Sequence, residues 1–112
     1  MNEKLNEIKR IIIEELEKEN IKVHKIILFE SRARGDFKED SDWDVCIIVE
    51  NDLSFYHKWY LLGRLYKALS KIEENVEIIL KTRWEFYDMK DIIGSISYNI
   101  SNEGKNIWMK KS

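Results

Sequence analysis

Asp42 and Asp44 stand one residue apart, where a polar stretch runs into the apolar segment that begins at Trp43 and reaches about Glu50. Alternate side chains of a strand share a face, so the two carboxylates are expected to point together and Trp43 to point away. Two carboxylates on one face repel each other unless a cation lies between them. Hard oxygen donors partly open to water suit magnesium, which keeps several waters and takes substrate phosphates as further ligands. A bare Asp-x-Asp is also what an ordinary polar turn looks like, so other residues have to decide.

Two other features bear on that choice. Glu77 is a lone acid within the run Val76-Glu77-Ile78-Ile79-Leu80. If buried, it needs a partner or a metal, and as a third carboxylate it could accept the proton of an attacking hydroxyl. The alternative is that it faces solvent on a half-exposed strand or pairs with a lysine. The second feature is Ser31-Arg32-Ala33-Arg34-Gly35, directly after the run that ends at Phe29. A strand turning into a short helix offers backbone N–H groups, Ser31 adds a hydroxyl, and Arg32 and Arg34 add positive charge. A triphosphate needs such a setting, although a solvated basic loop has the same composition. Gly35 is expected to shape the turn rather than touch a ligand.

The elements that must position these residues follow from hydrophobic periodicity. Leu5, Ile8, Ile12 and Leu16 predict an amphipathic helix from about residue 3 to 19, with Asn20 as its stop. Val23 to Phe29, about 43 to 50, and 76 to 80 read as strands. Ser54 can cap a helix to about Glu73 that buries Phe55, Trp59, Leu62, Tyr66, Leu69 and Ile72. Thr82 and Glu85 have the spacing of a capping box and should start a short helix. The last helix is expected from about Lys90 to Glu103, with Ile93, Ile96 and Ile100 on one face and its end at Gly104. Ile107-Trp108-Met109 is expected as a short edge strand. The order predicts an α+β (α/β) fold, one small mixed sheet flanked by helices in a single domain over residues 1–112.

Composition excludes several classes. Hydrophobic residues make up 44% and charged residues 36%, which suits a folded soluble domain rather than a disordered chain. No apolar run approaches membrane-span length, and the N-terminus lacks the apolar stretch of a signal peptide. The net charge of -2 and the scattered Lys and Arg argue against a nucleic-acid partner. Cys46 is alone, which rules out an internal disulfide and points to a reducing, cytoplasmic setting. His24 and His57 have no metal-ligand spacing, and Trp59 and Tyr66 are expected to be core.

Taken together, Ser31, ten intervening residues and Asp42-x-Asp44 resemble the signature of the DNA polymerase β-type nucleotidyltransferase superfamily. The stretch Leu28 to Val49 is most similar to the minimal nucleotidyltransferases, whose usual form at the turn is Phe-Gly-Ser-Arg-Ala-Arg-Gly. The resemblance extends over nearly the whole chain. It implies that Ser31 holds the triphosphate of ATP, where the charges of Arg32 and Arg34 already suit phosphate, and that Asp42, Asp44 and Glu77 bind Mg2+. It further implies an antitoxin that moves AMP from ATP to a tyrosine of a helical, HEPN-type toxin. So small a chain must draw its acceptor site from another copy, as a homo-oligomer, or from another protein.

Two positions depart from the family form. Glu30 stands where the family has glycine, placing a side chain and a negative charge beside the phosphate turn. Glu77 stands where aspartate is commoner, and its extra methylene shifts the carboxylate by about an ångström. These departures keep open a second function, a catalytically impaired binding module that neutralises its partner by occlusion.

Overall fold

The structure, a computed structural model, describes residues 3–111. Its elements are α1 (Glu3–Lys18), β1 (Val23–Phe29), α2 (Ser31–Arg34), β2 (Trp43–Val49), α3 (Phe55–Leu69), β3 (Val76–Thr82), α4 (Arg83–Met89), α5 (Ile96–Glu103) and β4 (Lys105–Met109). The four strands form one mixed sheet in the order β3-β2-β1-β4, with β1 antiparallel to β2 and β4, and β2 parallel to β3. The expected fold class is the one found. The closing strand over Ile107 to Met109 is present at the β1 edge, as its pattern predicts.

Strand alternation divides the core in two. Trp43, Val45, Ile47 and Val49 of β2 join Leu5, Ile8, Ile12 and Leu16 of α1 and Leu61, Leu65 and Leu69 of α3 in one large cluster. Cys46 and Ile48, on the other face of β2, meet Ile27, Phe29, Phe86 and Ile100 in a smaller cluster under α4 and α5. Each fully buried aliphatic side chain stabilises the fold by about 2 kcal/mol relative to exposure, so the α1/α3 face carries most of the stability. Gly104 lets the end of α5 meet β1 closely, because a Cβ there would strike the Ile27 side chain and the Ile100 carbonyl.

Local signals set several boundaries. Asn20 ends the turn after α1 in a left-handed conformation, at φ 58°. Ser54 caps α3 by accepting from the His57 N–H at 3.1 Å. The capping box of α4 is complete, with Thr82 N–H donating to Glu85 at 2.8 Å and Glu85 N–H donating to Thr82 Oγ1 at 3.1 Å.

Two expectations are corrected. α3 buries Leu61, Leu65 and Leu69, whereas Phe55 is 69% and Trp59 60% exposed, and Tyr66 is exposed as well. The helix carries two apolar stripes, and the slender leucines are the ones that fit the gap between α1 and the sheet. The helix expected from Lys90 does not start there. Gly94 turns the chain at φ 94°, and Ser95 caps a later start by accepting from Tyr98 N–H at 3.0 Å. Ile93 is therefore 82% exposed and Ile96 is exposed too, while Ile100 is buried.

Candidate active site

The strand register assembles the acids. Antiparallel pairing sets Phe29 of β1 opposite Asp44, and parallel pairing sets Asp44 beside Glu77. Neighbouring strands lie about 4.8 Å apart, so the two acids are adjacent on one face. That face is the α4/α5 side, since Asp44 alternates with Trp43 and Val45, which enter the other cluster. Asp42 lies just before β2 and lines the same open cavity of about 550 Å³ as Asp44, Glu77, Ser31, Arg34 and Glu30. Its size is in the range of small-molecule sites. A second cavity of about 460 Å³, reaching toward Tyr66 and Ser70, shares Asp42 and Glu77.

Electrostatics mark Asp44 as the strained member. Burial pushes its carboxyl above the usual 3.8, and the charges of Asp42, Glu30 and Glu77 push it further in the same direction. Carboxylates that repel one another around a cavity are the donor chemistry that a hard divalent cation relieves. Among the described residues, no three acidic, histidine or cysteine side chains are yet drawn together tightly enough to hold an ion. The donor set of Asp42, Asp44 and Glu77 around this cavity fits a hard divalent cation in its chemistry. Glu77 itself is exposed rather than buried. Cys46 is buried with its thiol pushed up to about 12, so it is no nucleophile.

The two arginines of the turn separate. Arg34 lines the cavity and is held by Glu30 and Asp36, each at 3.3 Å. Arg32 is buried and turned to the opposite side. Its guanidinium lies 4.0 Å from the centre of the Trp43 ring and 4.6 Å from that of Phe37. It donates to the carbonyls of Glu39 at 3.1 Å and Ser41 at 2.9 Å. The structure therefore does not bring Arg32 to the phosphate side; it ties down the loop that leads into Asp42. Ser41 and Ile96 line the cavity and lie outside the set that motif spacing singles out. Ser41 adjoins Asp42 in sequence, whereas nothing local to Ile96 signals its place.

Glu30 occupies an unusual backbone position, with φ 62° and ψ -148°. That region is nearly restricted to glycine and costs other residues on the order of 1–3 kcal/mol. The strain falls at the family's glycine position, and the side chain it imposes borders the cavity.

A mixed sheet with an Asp-x-Asp at the start of one strand, an acid on the next and a serine turn beside them defines a nucleotidyltransferase fold. A chain of a toxin–antitoxin complex crystallised with AMP-PNP matches 91% of this chain and 73% of its own length, at a TM-score of 0.56 and 22% identity. A chain of the tri-AMPylated Shewanella oneidensis HEPN toxin in complex with MNT antitoxin matches 94% and 69%, at a TM-score of 0.53 and 19% identity. At such identities the likeness is one of fold. The chain belongs to the polymerase beta nucleotidyltransferase family, whose model matches residues 10–112. A Methanocaldococcus jannaschii protein, provisionally described as a protein adenylyltransferase, is 32% identical over 87 residues, 78% of this chain and 80% of that protein.

Proposed function

We propose that residues 1–112 form one minimal nucleotidyltransferase domain, a Mg2+-dependent protein adenylyltransferase that acts in the cytoplasm as an antitoxin. Its substrate is ATP, and its acceptor is a tyrosine of a HEPN-type helical toxin. The observation that carries this reading is the meeting of Asp42, Asp44 and Glu77 with Ser31 and Arg34 around one cavity. The M. jannaschii relative and the toxin–antitoxin folds support the choice of acceptor.

Asp42, Asp44 and Glu77 are the residues that would hold the metal. Magnesium, when bound, supplies positive charge that stabilises phosphoryl transfer and favours ionisation of the acceptor hydroxyl. Ser31 and Arg34 orient the phosphates from the α2 side. Glu77, exposed on the edge strand beside Asp44, takes the proton of an incoming hydroxyl in this reading. Arg32 serves by fixing the loop before Asp42.

Glu30 favours one other reading. Its carboxylate repels a triphosphate, and an inactive chain would still neutralise its partner by occlusion. Thermal-shift titration with Mg-ATP tests the site, since a ligand at about 100 times its Kd stabilises by roughly 2.7 kcal/mol. A magnesium-dependent shift absent in Asp44→Asn supports the enzyme. No shift in the folded wild type, alone and with its partner, leaves occlusion.

A further inference from the structure

Away from the carboxylates, one hydroxyl is held as a nucleophile would be. The Tyr87 hydroxyl of α4 lies 3.2 Å from His24 Nε2 of β1. On the other side of the ring, His24 Nδ1 faces Glu50 Oε2 at 3.6 Å. A carboxylate there favours the imidazole proton on Nδ1 and leaves Nε2 to accept from the phenol. Hydroxyl, base and orienting acid in that order make up the arrangement that activates a nucleophile. Burial holds His24 below its usual 6.5; Glu50 opposes this, while the charges of Arg83, Lys25 and Lys110 add to it. The ring is therefore neutral near pH 7 and able to take a proton. Of the five tyrosines, only Tyr87 sets its hydroxyl against an imidazole among the described residues, and that of Tyr66 is taken by the Ile78 N–H.

Beside this phenol is a cavity of about 280 Å³ lined by Tyr87, Lys25, Lys90, Ser101 and Asn106. Lys25 is half-buried, and its Nζ lies 5.5 Å from the centre of the Tyr87 ring. It forms no salt bridge among the described residues. A half-buried cation without an acid suits an anion carried on the neighbouring oxygen, with Ser101 and Asn106 as further donors.

We propose that Tyr87 is an adenylylation site, modified by a second copy of this chain. The inference rests on the adenylyl-transfer reading of the carboxylate site. The phenol oxygen bonds to the α-phosphorus of ATP, the bond from that phosphorus to the oxygen bridging to the β-phosphate breaks, and pyrophosphate leaves. The phenol proton passes to His24 Nε2. This acceptor brings its base with it, so the proton does not have to reach Glu77. The phosphodiester formed carries one negative charge, and Lys25 and Lys90 line the space beside it. A chain does not reach its own Tyr87. His24 stands five residues along β1 from Phe29, which pairs with Asp44, and that is about 17 Å at the rise of a strand. Tyr87 is 36% exposed, and the cavity at the acids of another copy is open to receive it.

Intact mass and peptide mapping of the full chain after incubation with Mg-ATP test the proposal. The expected product carries one AMP, on Tyr87 and not on the more exposed Tyr56. Tyr87→Phe should take up none, and His24→Gln should slow uptake roughly 10²-fold. The wild-type rate should fall in acid, below pH 6.5, and His24→Gln should lack that fall, which a merely structural histidine would not produce. In a mixture of Asp44→Asn with Tyr87→Phe, only the Asp44→Asn chain should gain mass. An unlabelled mixture overturns transfer between copies. Label on another residue, or label that survives Tyr87→Phe, overturns the proposal. A chain that binds Mg-ATP through Asp44 yet takes up no AMP overturns it too, and leaves the transferase reading standing. A chain that neither binds nor labels overturns both.

Discussion

The two faces of the sheet use the same strands to opposite ends. On the α1/α3 side, Val45, Ile47 and Val49 enter a closed apolar layer with the leucines and isoleucines of two long helices. On the α4/α5 side, the alternating residues of β2 begin with Asp44 and become apolar only at Cys46 and Ile48, under two short helices. One face holds the fold, and the other gives up part of its burial to keep mutually repelling carboxylates beside a cavity. The stability needed to carry that cost comes from across the sheet.

Mutations should separate the two faces. Leu61→Ala, on the closed face, is expected to cost about 3 kcal/mol and to lower Tm by roughly 10–20 °C in calorimetry. Asp44→Asn, on the open face, should lower AMP transfer roughly 10²–10³-fold in a labelled-ATP assay without destabilising the chain. An Asp44→Asn variant that melts like Leu61→Ala would erase the contrast. Glu30→Gly relieves strain of about 1–3 kcal/mol and loses up to about 1 kcal/mol to the freer unfolded chain. A net gain of about 1 kcal/mol follows, seen as a Tm rise of roughly 4–8 °C, together with faster transfer.

The smallest effect is a pH dependence. The Asp44 carboxyl is raised above 3.8 in the folded chain, so the folded state holds its proton more tightly than the unfolded one. Its contribution to stability is therefore greatest below 3.8 and declines as pH rises through the raised value. Melts of wild type and Asp44→Asn should converge in acid and diverge toward neutral pH, with the variant the more stable. Divergence in the reverse sense would mean that the acids stabilise one another, contrary to the picture of a strained face.

Much of this was legible in the sequence, because periodicity and caps are local. The α1 stripe, the first three strands and the capping box at Thr82 needed only neighbouring residues. α3 did not yield its inward face, because Phe55, Trp59 and Tyr66 recur at the same helical steps as Leu61, Leu65 and Leu69. Choosing between the stripes takes the shape of the gap, which is a tertiary property. The last helix misled similarly: Ile93, Ile96 and Ile100 keep a helical beat across a Gly94-Ser95 break that ends it. Within the site, alternation along β2 puts Asp42 and Asp44 on one face, whereas the parallel register that sets Glu77 beside Asp44 is a tertiary property that left Glu77 open between site and solvent. The fate of Arg32 was not visible, since its stacking on Trp43 and Phe37 depends on how the intervening loop folds back.

β3 is an edge strand, and among the described residues its outward N–H groups have no further strand to bond. The hydroxyl of Tyr66 accepts the Ile78 N–H at 2.8 Å. A tyrosine that stays out of the core thus acts as a stopper on a sheet that would otherwise invite another chain to add itself there. One side-chain oxygen occupies this edge at Ile78. Tyr66→Phe should show its loss in slow fibrous aggregation on storage, with the melting profile little changed.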